Sequence, residues 1–172
     1  STVSANLAVT FANQKQKTIL VDLDMRKPTI HATFGIQNSS GLVNLLTDSV
    51  KNLEMLLPSY CKESGIDNLM VLPSGPIPPN PSELLGSDRM ATLLAALSKH
   101  YDRIVLDTPP VISVTDAQII SSRADATILV VPYGIAQKAA VIDAKVLLQK
   151  VNANIIGVVM NRMPAQGGAG YY

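Results

Sequence analysis

The sequence has 172 residues, 47% of them hydrophobic and only 16% charged, which suits one compact domain with a core and argues against intrinsic disorder. Fourteen Lys and Arg against thirteen Asp and Glu leave a net charge of +1, whereas chains that neutralise nucleic-acid phosphates carry a clear basic excess. Nucleic acid is therefore disfavoured as a partner. The single cysteine, Cys61, permits no internal disulfide and fits a reducing compartment. No apolar run approaches the roughly 18 residues of a membrane span, and no signal-peptide pattern is present.

Ser1 and Thr2 precede a stretch with helical spacing, marked by Val3, Leu7, Ala8, Phe11 and Ala12. Thr18 to Leu23 follows as the first of five short, nearly continuous apolar runs. The others are Leu69 to Leu72, Arg103 to Leu106, Thr127 to Val131 and Ile155 to Met160. Continuous rather than alternating runs are expected of strands buried on both faces of a parallel sheet. Helical spacing returns at Met90, Leu93, Leu94 and Leu97, and again at Ala139, Val146 and Leu147, ending near Lys150. This alternation predicts an α/β fold, a doubly wound and mostly parallel sheet flanked by helices. Between Pro73 and Pro81 the prolines forbid helix and central strand alike, so the segment reads as an extended loop, with Ser82 capping the next helix and Glu83 in its first turn. Pro164 to Tyr172 is glycine-rich and patternless, a tail carrying Tyr171 and Tyr172 after a domain of residues 1–163.

In open α/β sheets ligands sit at the carboxyl ends of the strands, and three acids stand there. The first run leads into Asp22-Leu23-Asp24-Met25-Arg26, where alternation along an extended chain points Asp22 and Asp24 to one side. The third leads into Asp107-Thr108-Pro109-Pro110, the apolar-run-then-Asp pattern of a Walker B acid beside Mg²⁺ and nucleotide phosphates. Each acid alone also reads as a turn or cap residue. Three carboxylates near one another are costly to bury unless a cation joins them. Arg26 either pairs with an acid or faces a nucleotide or acceptor. Ser1-Thr2 read as an N-cap, or as the end of a phosphate loop of the form G-x-x-x-x-G-K-[ST].

Taken together, Ile19-Leu20-Val21-Asp22-Leu23-Asp24-Met25-Arg26, Lys27-Pro28-Thr29, Pro81 to Leu85, Ile104 to Pro110 and the terminal Tyr171-Tyr172 resemble the bacterial tyrosine kinases of capsule and exopolysaccharide systems. These are deviant-Walker P-loop ATPases related to the Min and Par proteins. The resemblance covers nearly the whole chain. It implies a P-loop NTPase fold whose N-terminal strand and phosphate loop lie outside this sequence, read here as truncation. It also implies binding of ATP and Mg²⁺: Ser1 as metal ligand, Thr2 at phosphate, and Asp22, Asp24 and Asp107 around the metal and its waters, with Asp22 or Asp24 as base. Arg26, Asn161 and Arg162 would contact the nucleotide, and Tyr171 and Tyr172 would be phosphoacceptors. Implied partners are other copies of the enzyme and a membrane polysaccharide co-polymerase that activates it, fused or separate, which would hold the domain at the cytoplasmic face of the membrane. The rival readings are a Min- or Par-like ATPase switch and a non-catalytic module of a polysaccharide exporter. A dinucleotide oxidoreductase fits poorly, since no G-x-G-x-x-G occurs.

Overall fold

In the computed structural model, which describes residues 1–50 and 52–164, the chain is organised around β1 (Thr18–Asp22), all five of whose residues are buried. It pairs in parallel with β3 (Leu69–Leu72) on one side and β4 (Arg103–Asp107) on the other. A short antiparallel strand, β2 (Lys62–Glu63), extends the sheet beyond β3, giving the order β2-β3-β1-β4. Two charged residues carry no apolar pattern, which is why β2 escapes a reading of the sequence.

The pleat sends alternate residues of β1 into two separate cores. Leu20 meets α1 (Thr2–Asn13) through Ala5, Ala8 and Ala12, together with Leu69, Val71 and Val105. Alanines at helical spacing let the helix backbone lie close to the sheet. Ile19 and Val21 face the other way, against Leu42 and Leu45 of α3 (Leu42–Thr47), Leu57 of α4 (Leu53–Tyr60) and Met90, Leu93 and Leu97 of α6 (Asp88–His100). Helices on both faces of a parallel sheet make the fold doubly wound, as expected.

The proline loop behaves as a connector into α5 (Pro81–Gly86), but Ser82 is not its cap. Pro81 takes the first helical position, where its missing N–H is no loss, and Asn80 is the N-cap. Ser82 thus lies in the first turn with its hydroxyl free for another partner. The serine that does cap is Ser87, whose Oγ accepts from the Met90 N–H at 3.2 Å and opens α6.

All five runs form strands, but not one continuous sheet. After α7 (Asp116–Ser121), β5 (Thr127–Pro132) and β6 (Ile155–Asn161) pair in parallel around α8 (Lys138–Lys150) as a separate two-stranded sheet. Among the described residues β4 bonds only to β1, and β5 only to β6. An apolar groove of about 180 Å³ lies between the loop after β4 and the second sheet, lined by Pro110, Val111, Leu129, Val131, Ala140 and Ala144. The break falls in mid-sheet, where the resemblance puts the strand that leads to a phosphate loop. No helix among the described residues is long and apolar enough to cross a membrane. The expected tail lies outside the described residues from 165 on, Tyr171 and Tyr172 included.

One close approach locks the loop before α3 to the end of β3. The Leu42 and Val43 N–H groups donate to the carbonyls of Pro73 and Ser74 at 2.8 and 2.9 Å, and Asn38 accepts from the Gly75 N–H at 2.9 Å. A Cβ on Gly41 would stand 2.1 Å from the Pro73 carbonyl oxygen and 2.7 Å from the Gly75 nitrogen, backbone atoms that cannot step aside. Gly41→Ala is expected to destabilise the fold by about 1–3 kcal/mol, the range of forced overpacking, seen as a lower urea midpoint with an unchanged slope. A wild-type midpoint would show that the two loops are not locked.

Candidate active site

The β1–β4 register sets Asp22 directly opposite Asp107, each the last residue of its strand. Both are buried, 0% and 4% exposed, so each carboxylate depends on protein donors. Asp107 receives two hydroxyls from the start of α1: Ser1 Oγ donates to Oδ2 at 2.7 Å and Ser4 Oγ to Oδ1 at 2.6 Å. Thr29 Oγ1 in turn donates to Ser1 Oγ at 2.8 Å. Ser1 is therefore at the helix N-terminus as the sequence indicates, but its hydroxyl serves Asp107 and makes no capping bond. Thr2 is exposed in the first turn. Ser4 was missed, since a serine one turn into a helix gives no signal until its strand partner is known.

Asp22 is held by backbone. Its Oδ1 accepts from the Asp24 N–H at 3.2 Å and its Oδ2 from the Ile30 N–H at 3.1 Å. Burial pushes this carboxyl up to about 6; the Ile30 bond opposes the shift and the charge of Asp107 adds to it. Because the strand ends at Asp22, pleat alternation does not govern Asp24. Its Oδ1 folds back onto its own turn, accepting from the N–H groups of Arg26 at 3.2 Å and Lys27 at 2.9 Å. Asp24 remains beside Asp22, close enough for its charge to act there.

Among the described residues no group of three or more His, Cys, Asp or Glu side chains is placed to hold a metal ion. Mg²⁺ does not need one, because it keeps several waters and takes one or two carboxylates plus substrate phosphates. The hydroxyl of Ser1 and the carboxylates of Asp107 and Asp22 are hard oxygen donors of that kind.

Arg26 pairs with an acid, but with none of these three. Its Nε donates to Asp116 Oδ2 at 3.0 Å and its Nη2 to Oδ1 at 3.2 Å, a two-pronged grip. Ser82 Oγ donates to the same Oδ1 at 2.6 Å. Burial raises the Asp116 carboxyl, but the Arg26 and Ser82 bonds outweigh it and hold it below the usual carboxylate range. Sequence reasoning overlooked Asp116, which at the start of a helix reads as a first-turn acid. Asn161 and Arg162 stand at the end of β6, where Asn161 Oδ1 accepts from the Arg162 N–H at 2.8 Å and stabilises the turn. Cys61 is buried, and burial pushes its thiol up to about 11, so it is no nucleophile.

Residues 1–159 match the family model described as an AAA domain. The putative tyrosine-protein kinase CapB of Staphylococcus aureus is 43% identical over the whole of this chain and 73% of its own length. The chain belongs to the bacterial tyrosine-protein kinases. YwqD of Bacillus subtilis, also named a tyrosine-protein kinase, is 40% identical over the whole chain and 71% of its own length. Among solved structures, that of the chimerical protein CapA2B2 superposes with a TM-score of 0.88 at 42% identity, over 95% of this chain and 70% of that one. The cell-division ATPase MinD of Pyrococcus furiosus superposes at 0.73 with 23% identity over 94% of this chain and 65% of its own, and shares the fold alone. The domain is thus a nucleotide-binding tyrosine kinase of the P-loop type, and the reading as a Min- or Par-like switch without kinase activity gives way to the kinase relatives.

The Asp22 shift has a consequence for stability. Its folded pKa of about 6 lies above the ordinary 3.8, so between these values the native state binds more protons than the unfolded state. Stability contributed at low pH is therefore lost as pH rises through about 6. Without added Mg²⁺, wild-type stability measured against that of Asp22→Asn should fall by about 2 kcal/mol between pH 4 and pH 7. A flat difference in urea unfolding across that window would refute the shift.

Proposed function

We propose that the chain is the catalytic domain, residues 1–163, of an ATP-dependent autokinase that phosphorylates its own C-terminal tyrosines and thereby regulates capsular or exopolysaccharide synthesis. The observation that carries this reading is the pair Asp22–Asp107, in register at the strand ends and tied through Ser1 and Ser4 to the N-terminus of a twelve-residue helix. Unpaired N–H groups at such a terminus favour an anion, and the two carboxylates favour a cation, which together suit a metal–polyphosphate. The break between β4 and β5 supports a further strand there, leading into a glycine-rich phosphate turn that enters α1 through Ser1.

In this reading Ser1 and Asp107 would hold Mg²⁺, which would supply positive charge against the nucleotide's phosphates, and Thr2 would contact phosphate. Asp22 and Asp24 order the metal's waters and the acceptor. Transfer breaks the bond from the γ-phosphorus to the bridging oxygen and forms one to the phenol oxygen. The phenol, with a pKa near ~10, gives its proton to a carboxylate as the new bond forms. Asp22 suits that task, since its raised pKa makes it a better proton acceptor than an ordinary carboxylate. In this reading Asn161 and Arg162, at the end of β6, would contact the nucleotide. A polysaccharide co-polymerase of the membrane is the proposed activator, and would hold the domain at the cytoplasmic face.

Asp107→Asn replaces a charge by a nearly isosteric amide. It is expected to cut phosphotransfer in the complete protein by 100-fold or more, since a charge at the metal is lost, while circular dichroism and melting temperature stay close to wild type. Undiminished labelling from radioactive ATP would overturn the assignment.

The acceptors proposed are Tyr171 and Tyr172, following the Gly167-Gly168-Ala169-Gly170 segment, modified in trans by another copy. Each phosphate adds roughly −1.5 to −2 charge at pH 7, which would repel the acidic site and loosen self-association. When a catalytically dead full-length copy is mixed with an active copy lacking the tail, mass spectrometry should find phosphate on the dead copy's tyrosines. An unmodified tail would rule out transfer in trans.

A further inference from the structure

The site leaves one buried carboxylate without a part in the reaction. Asp116 is fully buried at the start of α7, yet it lies on none of the strands that carry Asp22 and Asp107. It joins three segments distant in sequence. Arg26 belongs to the turn after β1, Ser82 to the first turn of α5, and Thr115, which precedes Asp116, donates through Oγ1 to Ser82 Oγ at 3.4 Å. Arg26 Nη2 also reaches Ser82 Oγ, at 3.3 Å.

The grip is directional. A guanidinium held by two parallel bonds is fixed in plane as well as in place. The backbone N–H of the same Arg26 donates to Asp24, and three residues beyond the turn's other donor, Lys27, the Ile30 N–H donates to Asp22. The segment 24–30 is thus fastened at both ends to Asp22, through the Asp24 and Ile30 N–H groups, and near its middle to Asp116. We propose that Asp116 is a positioning residue for phosphoryl transfer: through Arg26 it fixes the turn that orients Asp22 and Asp24, and through Ser82 it registers α5 and the proline loop against that turn. The assignment rests on the kinase reading of the Asp22–Asp107 site. It also gives Arg26 a part other than direct contact with the nucleotide.

Two variants separate positioning from folding. Asp116→Asn leaves no buried unpaired charge, because Arg26 has 40% of its side chain exposed and can turn to water. Arg26→Lys keeps the charge but cannot make the planar, two-pronged contact. In the full-length kinase, each variant should lower kcat for tail phosphorylation about tenfold, with KM for ATP within about twofold of wild type and the melting temperature within a few degrees. The double variant should be no worse than either single one, because both remove the same link. Amide exchange at Arg26, Lys27 and Ile30 should accelerate about tenfold in both, a readout that does not depend on catalysis. Unchanged exchange at those amides, or losses of kcat that multiply in the double variant, would overturn the proposal. If exchange accelerates while Asp107→Asn leaves activity intact, the positioning link survives and the assignment of the metal-binding acids fails.

Discussion

Adjacent parallel strands deliver Asp22 and Asp107 to the same point of the sheet edge, and like charges held there repel each other in a poorly solvated setting. Much of the surrounding structure answers that repulsion. Two serines of α1 supply hydroxyls to Asp107, and two backbone N–H groups of the following segment supply donors to Asp22. The helix start and the 24–30 segment are consequently fixed by one and the same constraint. Burial outweighs the donors and the charge of Asp107 adds to it, which is why Asp22 still binds a proton more readily than an ordinary carboxylate.

A second layer of polar contacts stands behind the first. Arg26, Ser82 and Asp116 form a compact ionic knot whose acid is fully buried and whose base is not. Such a pair contributes less to stability than its charges suggest, since taking the acid out of water offsets much of the attraction. Its value lies in geometry. It ties the turn after β1, which carries Asp24 and follows Asp22, to the first turns of α5 and α7.

The apolar runs made the strands legible, because continuous β-branched stretches of four to six residues leave few alternatives to a doubly covered sheet. Asp22 and Asp107 were legible for the same reason: each follows such a run directly. Asp24 was found beside Asp22, but its acceptor role within its own turn was not legible, because alternation stops where the strand does. Side-chain partnerships were not legible. Ser4 with Asp107, and Arg26 with Asp116, are contacts across 103 and 90 positions of sequence, set by strand order and register rather than by local pattern. Ser82 shows the same limit, since its type fits a cap while the proline before it decides where the helix starts. The strand β2, with no apolar pattern, is defined wholly by the neighbour it pairs with.

The interruption between β4 and β5 divides the backbone hydrogen bonding into two networks, one of four strands and one of two. A two-stranded unit with a single helix buries little, and several of its apolar residues, among them Val130, Ile156, Val158 and Met160, face solvent. Units of that size are marginal alone and open independently of the larger core. Anything that bonds to both edges at once would merge the two into a single cooperative unit. The strand proposed for that gap would make those bonds, so the seating of its phosphate turn and the joining of the two sheets would depend on one backbone ladder.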